Sequence, residues 1–353
     1  MADIPAKIGK YKILGLIATG GMGDVYKAEH PTLDQLLVIK KLTMQGKTHV
    51  QKRFLREAKL MFSFKSDYIV DVYDHFAEHG AFHIVQEYID GISLEELIDR
   101  ERYLPEHIAL YVLLYSARAL QYAHSKGVVH RDIKPGNILI SNSGSVKLVD
   151  FGIASIRDQR TDDDLTQVGM TLGTPSYMAP EQFTSSRDVD HRADIYSLGV
   201  MLYEMITGKK PYPSGKLPET YQRIIKGKYK NPRKHNPNIS RFTLRTIRKC
   251  MRPKITRRYQ NLHLLIKRLE KRLGIKPVIG QPFEGAGLLS DFLVGSFTPP
   301  KKRIITRPRL IGAAIVSAVG ALLLGAGIYT GFHHHIFHAD THGRVSAAIN
   351  SQY

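Results

Sequence analysis

Apolar runs broken by glycine open the chain. In YKILGLIATGGMGDVYKAEH (Tyr11 to His30) two strand-like runs flank Gly20, Gly21 and Gly23, which predicts a strand, a glycine-rich turn and a second strand. The next apolar run, QLLVIKKL (Gln35 to Leu42), predicts another strand and sets Lys40 among apolar neighbours. In KRFLREAKLM (Lys52 to Met61), Phe54, Leu55, Ala58 and Met61 recur at helical spacing. Further on, an aspartate appears twice beside an apolar run, in VVHRDIKPGNILI (Val128 to Ile140) and in DFGIAS (Asp150 to Ser155).

The longest uncharged run lies near the end. Leu310 to Phe332 holds 23 residues without a charge, roughly 34 Å of helix, enough to span a bilayer. A transmembrane helix is expected there. The basic stretch PPKKRIITRPR (Pro299 to Arg309) places the preceding side in the cytoplasm and the C-terminus outside. Residues 275–309 are rich in Pro and Gly without sustained periodicity and read as a juxtamembrane linker. Residues 333–353 form a short His-rich tail, too small for a folded sensor. Its His333, His334, His335, His338 and His342 could bind a metal or titrate, although a solvated polar tail is the simpler account. Within the span, Ala313, Ser317, Ala321 and Gly325 recur every fourth residue, a small-residue stripe that would let two copies pack as a homodimer. No signal segment stands at the N-terminus, so a cytoplasmic main domain is expected.

Charge sharpens this division. The chain of 353 residues carries a formal +19, yet residues 223–276 alone hold 19 of the Lys and Arg residues against a single acid, Glu270. The single cysteine, Cys250, excludes an internal disulfide and fits a reducing compartment. The basic block admits three readings: a solvated face, a surface for anionic membrane lipids, or a nucleic-acid site. Few aromatics and no binding motif make nucleic acid the weakest of them.

Candidate chemistry gathers in the first 275 residues. Glycines at a hairpin bend let backbone amides approach an anion. Lys40, in an apolar run, requires an anionic partner; a bound phosphate and Glu57 are the candidates. The ordered set Gly20 and Gly23, Lys40, Glu57, HRDIKPGN (His130 to Asn137), DFG (Asp150 to Gly152) and APE (Ala179 to Glu181) resembles the protein kinases. The phrases GGMGDVY and GTPSYMAPEQ are similar to those of the bacterial eukaryotic-like (Hanks-type) transmembrane serine/threonine kinases. The resemblance covers residues 10–274.

It implies an α+β, bilobal fold with a small β-rich N-lobe and a larger helical C-lobe, followed by the linker and a single transmembrane helix. It implies ATP with Mg²⁺, or Mn²⁺ in its place, and protein substrates with Ser/Thr acceptors. Asp132 would accept the proton of the acceptor hydroxyl, while Asn137 and Asp150 would hold the metal. Lys40, positioned by Glu57, would contact the phosphates. Ile17, Gly20, Gly21, Gly23 and Val25 would enclose the nucleotide, and Glu87 and Tyr88 would form the hinge beside adenine. Lys134 with Thr174 marks a Ser/Thr rather than a Tyr kinase. Thr166 and Thr171 are candidate phosphosites, Thr166 first, whose phosphate would meet Arg131. Asp194 and the pair of Glu181 and Arg258 would be structural supports. Two positions depart from the family pattern. Ala18 replaces the first loop glycine, and Gln86 sits where many relatives carry an apolar residue. The implied function is a membrane-anchored protein kinase that autophosphorylates; a pseudokinase scaffold is the alternative.

Overall fold

The computed structural model describes residues 4–20, 23–42, 61–151, 175–184, 189–212, 217–276 and 283–298, all within the compact unit Met1–Pro299. Strands β1 (Lys7–Ile8), β2 (Tyr11–Gly20), β3 (Gly23–Glu29), β4 (Leu36–Leu42), β5 (Val72–Glu78) and β6 (Ala81–Glu87) form one sheet. Its order is β1-β2-β3-β4-β6-β5, and every neighbouring pair is antiparallel. The expected strand, glycine turn and strand are β2 and β3, which close at Gly20 opposite Gly23. Gly23 has φ +134°, and a Cβ there would lie 1.8 Å from the carbonyl oxygen of Lys41. Only glycine fits a backbone so placed.

Alternation along β4 gives the sheet two unlike faces. Leu37 and Ile39 bury on one side in a small core with Ile8, Tyr11, Tyr26, Ala28 and Val85. Leu42 joins Ile84 and Val72 in the large core that continues into the helical lobe. Lys40, one residue from Ile39 and two from Leu42, therefore belongs to the face shared with the large core. It sits between Val25 and Ile84 across the sheet.

The helical lobe is built on two long buried helices. After β7 (Gly91–Ser93), α1 (Leu94–Glu101) starts from a capping box in which Ser93 and Glu96 satisfy each other's backbone amides. Helix α2 (Glu106–Ser125) follows. Strands β8 (Ile138–Ser141) and β9 (Val146–Leu148) pair with β7 in a small antiparallel sheet. A single helical turn, α3 (Glu181–Thr184), precedes α4 (Arg192–Thr207), whose residues from Ala193 to Thr207 are all buried. Burial of each large aliphatic side chain in such a helix contributes about 1.5–3 kcal/mol. Gly208 ends α4 in the left-handed conformation, its N–H donating to Glu204 O at 2.7 Å.

Helices α5 (Leu217–Lys226), α6 (Arg241–Cys250) and α7 (His263–Leu273) complete the lobe, with α6 against α4 and α7 against α2. Cys250 is a free, fully buried thiol whose pKa burial pushes up to about 12. Within the stretch read as linker, the structure places helix α8 (Ala286–Leu293), with Leu289 fully buried against the large core. Residues 310–332 and the histidine tail lie outside the described residues. Among the described residues no helix is long and apolar enough to cross a membrane.

Candidate active site

One buried carboxylate shapes the loop that holds Asp132. Asp194, on the first turn of α4, is wholly buried. It accepts the backbone N–H of His130 at 2.9 Å and of Arg131 at 2.8 Å, and its Oδ2 meets His124 Nε2 at 2.8 Å. Arg131 takes φ +66°, a conformation L-residues avoid and that surrounding bonds must enforce. Gln182 adds a further restraint, donating from Nε2 to the Arg131 carbonyl at 2.8 Å while its Oε1 accepts the Ala179 N–H.

His130 joins this loop to the one bearing Asp150. Its Nε2 donates to the Val149 carbonyl at 3.0 Å and its Nδ1 accepts the Asp132 N–H at 3.3 Å, a pattern that assigns the neutral Nε2-H tautomer. Burial lowers its pKa, consistent with that neutral form. The ring also packs against Phe151 at 4.8 Å, and the Val149 N–H donates to Asn137 O at 3.0 Å.

Asp132, Lys134, Asn137, Lys40 and Asp150 are thereby gathered in one place. Lys134 Nζ donates to Asp132 Oδ2 at 2.9 Å. Asn137 Nδ2 donates to the Asp132 carbonyl at 2.7 Å and to its Oδ2 at 3.2 Å. Lys40 forms an ion pair with Asp150, whose backbone is also left-handed at φ +59°. Burial, with the charge of Lys134 added, lowers the Lys40 ammonium to about 8. Lys40 thus meets an anion, as its apolar setting requires, and that anion is Asp150. Glu57, the other carboxylate considered for it, lies outside the described residues.

The donor set suits a hard cation. Asn137 uses its amide hydrogens on Asp132, which leaves Oδ1 for a metal, and Asp150 supplies a carboxylate; Mg²⁺ characteristically takes one or two such protein oxygens and completes its shell with phosphates and water. Among the described residues no cluster of three or more His, Cys, Asp or Glu offers a self-sufficient metal cage.

The remaining predicted residues surround this centre. Ile17, Ala18 and Gly20 are on β2, with Ala18 opposite Val25 on β3; Ile17 is 52 % exposed. Gln86 is buried near the end of β6. Glu87 turns its side chain to Lys147 on β9, with Nζ at 2.7 and 2.6 Å from its two oxygens. Its backbone N–H donates to the Asp71 carbonyl at 2.9 Å, which leaves its carbonyl for a hinge role. Tyr88 OH accepts from Lys27 at 3.3 Å. Glu181 and Arg258 form a two-pronged pair at 2.5 and 2.7 Å, and the Arg258 guanidinium also donates to the carbonyls of Arg252, Pro253 and Arg192. Gly21, Thr166, Thr171 and Thr174 lie outside the described residues. Sequence reasoning missed His124, Gln182 and Lys147, ordinary polar residues whose contacts with Asp194, Arg131 and Glu87 span long stretches of chain.

Known proteins resemble this chain. The protein kinase domain matches residues 11–269. A probable serine/threonine-protein kinase of Clostridium perfringens is 35% identical over 265 residues, covering 74% of this chain and 38% of that protein. The serine/threonine-protein kinase pkn3 of Myxococcus xanthus is 41% identical over 58% of this chain and 39% of its own length. PknH of Mycobacterium tuberculosis is 34% identical over 72% of this chain and 41% of its length. The chain thus spans well under half the length of these relatives. The crystal structure of Rad53 1-466 in complex with AMP-PNP superposes with a TM-score of 0.61 at 22% identity, covering 73% of this chain and 64% of that one, a likeness of fold.

Arg258 is buried at 1 % exposure, so Arg258→Met would remove its two-pronged contact with Glu181 and its donations to the carbonyls of Arg252, Pro253 and Arg192 together. The expected loss of folding stability is about 3–5 kcal/mol, read as a lowered denaturation midpoint; a change below about 1 kcal/mol would show the pair to be dispensable.

Proposed function

The chain belongs to the protein kinase family, and we propose that it is an ATP-dependent serine/threonine protein kinase that modifies protein substrates and its own activation segment. The convergence of Lys40, Asp132, Asn137 and Asp150 on one site carries this reading. A scaffold without activity has no use for all four. Asp132 takes the proton of the acceptor hydroxyl as its oxygen forms a bond to the γ-phosphorus and the bond to the β-phosphate oxygen breaks, releasing ADP. Lys134, bonded to the same carboxylate, supplies positive charge beside the transferring group. Lys40 exchanges Asp150 for the nucleotide phosphates. Mg²⁺, when bound by Asn137 and Asp150, neutralises phosphate charge. The backbone after Gln86, at Glu87 and Tyr88, takes the adenine edge, Thr166 or Thr171 receives the autophosphorylation, and Arg131 is the cation for the resulting phosphate.

We also propose a membrane setting for this activity, on the uncharged run of residues 310–332 and the basic stretch before it. Residues 310–332 anchor the chain as a single span with the kinase domain cytoplasmic and the C-terminus outside, the small-residue stripe from Ala313 to Gly325 pairs two copies, and residues 223–276 meet anionic lipids. Of the Lys and Arg residues in that block only Arg258 is buried. Each cation near such a surface contributes about 1 kcal/mol.

Incubated with Mg²⁺ and ATP, the full chain should incorporate phosphate at Thr166 or Thr171, and Asp132→Asn should lower the rate by about 10³-fold. Equal silence of both proteins would favour the pseudokinase scaffold. Because nucleotide phosphates favour the charged lysine, ATP affinity should be full below the Lys40 pKa of about 8 and fall as pH rises through it. The drop is roughly tenfold between pH 7 and 9, and Lys40→Met should flatten it; a flat wild-type profile would remove Lys40 from the phosphates. In flotation, residues 1–299 should rise with anionic vesicles and stay behind with neutral ones, and equal recovery with both would defeat the lipid reading.

A further inference from the structure

The matched protein kinase domain ends at residue 269, yet the fold continues. Phe283 to Leu293 return to the helical lobe, where Phe283 packs edge-on against Tyr68 at 5.4 Å and, tilted by 43°, against Tyr115 at 5.2 Å. Tyr115 OH donates to the Glu284 carbonyl at 2.7 Å. Gly285, with φ +86°, starts α8 so closely over Tyr111 that a Cβ would stand 3.3 Å from its ring. Leu289 is fully buried.

The surface that α8 covers includes the turn between β8 and β9. Ser290 Oγ donates to the Asn142 carbonyl at 2.8 Å. At Gly144 the approach is closer still: an added Cβ would lie 2.1 Å from the Ala286 carbonyl oxygen. This hairpin carries both proposed metal-binding residues, because β8 begins one residue after Asn137 and β9 ends two residues before Asp150. The same turn is bound to the segment after the hinge, where the Asn142 N–H donates to Asp90 O at 2.9 Å and its Nδ2 to Asp90 Oδ2 at 3.1 Å. Through one hairpin, α8 therefore reaches Asn137, Asp150 and the segment following Tyr88.

We propose that residues 283–293 are a positioning element of the catalytic domain, a brace that holds the β8–β9 hairpin so that Asn137 and Asp150 keep the spacing their cation requires. The inference rests on the kinase reading for the role of those two residues. It gives the segment that joins the domain to residues 299–353 a direct mechanical route to the site: whatever pulls α8 from Tyr115 and Gly144 loosens the hairpin. Residues outside the first coordination shell commonly tune metal affinity strongly without touching the ion.

The test is hydrogen exchange on the full chain, wild type beside Leu289→Ala, with Leu289→Met as the conservative control and Ser290→Ala as a milder probe that leaves the core intact. In Leu289→Ala, amides of Ile138 to Leu148 should exchange about tenfold faster while those of Arg192 to Thr207 keep their protection. Leu289→Met should behave as wild type, and Ser290→Ala should show a smaller change confined to the same hairpin. In the activity assay the Mg²⁺ concentration for half-maximal rate should rise about tenfold in Leu289→Ala, a shift that a lower fraction of folded protein cannot produce. Acceleration spread evenly over both regions, or no acceleration in either Leu289→Ala or Ser290→Ala, would overturn the brace, as would an unchanged Mg²⁺ requirement in an active Leu289→Ala. If the wild type transfers no phosphate while the hairpin still responds, the proposed function falls and the brace stands.

Discussion

The active site depends on a buried carboxylate that never meets a substrate. Asp194 accepts two successive backbone amides from the loop that carries Asp132 and a third contact from His124. Hydrogen bonds to a charged acceptor contribute about 1.5–3 kcal/mol each, whereas a left-handed residue such as Arg131 costs about 1–3 kcal/mol. The bonds therefore outweigh the strain. They hold the chain in a turn that presents Asp132, Lys134 and Asn137 to the same side. Because His130 spans from this loop to Val149, the restraint extends to Asp150 as well, so two loops far apart in sequence act as one frame.

Much of this was legible in the residue order, for a physical reason. Phosphoryl transfer calls for particular side chains at short fixed separations, and Lys40, Asp132, Asn137 and Asp150 sit in short stretches whose spacing survives folding. The hairpin of β2 and β3 was legible because alternation and glycine both act locally. The supports were not. His124 and Gln182 acquire their roles only from proximity created by α2, α3 and α4, and nothing in their immediate neighbours signals it. Glu87 was read for its hinge backbone, but its side chain spends its charge on Lys147, a partner sixty residues onward. Helix α8 escaped notice because its eight residues follow a Pro- and Gly-containing stretch and bury little beyond Leu289.

Charge and chemistry are kept apart in this molecule. The site itself mixes signs closely, Lys40 with Asp150 and Lys134 with Asp132, so each ion there has a counter-ion in contact. The excess positive charge lies elsewhere, on exposed positions of α5, α6 and α7 and their connections. That surface can respond to its surroundings without altering local balance in the cleft. Glu270, the lone acid of the block, is committed inward to Arg118 at 2.9 Å and does nothing to dilute the outward field.

The central claim is that Lys40, Asn137 and Asp150 divide one nucleotide and its cation among them, with Lys40 leaving Asp150 for phosphate. A crystal structure of the full chain with Mg²⁺ and a non-hydrolysable ATP analogue measures this directly. The account predicts Lys40 Nζ on the phosphate oxygens, Asn137 Oδ1 and the Asp150 carboxylate on the metal, and the Asp194 contacts unchanged. Nucleotide bound with Lys40 still paired to Asp150, and metal bound away from both Asp150 and Asn137, would contradict it.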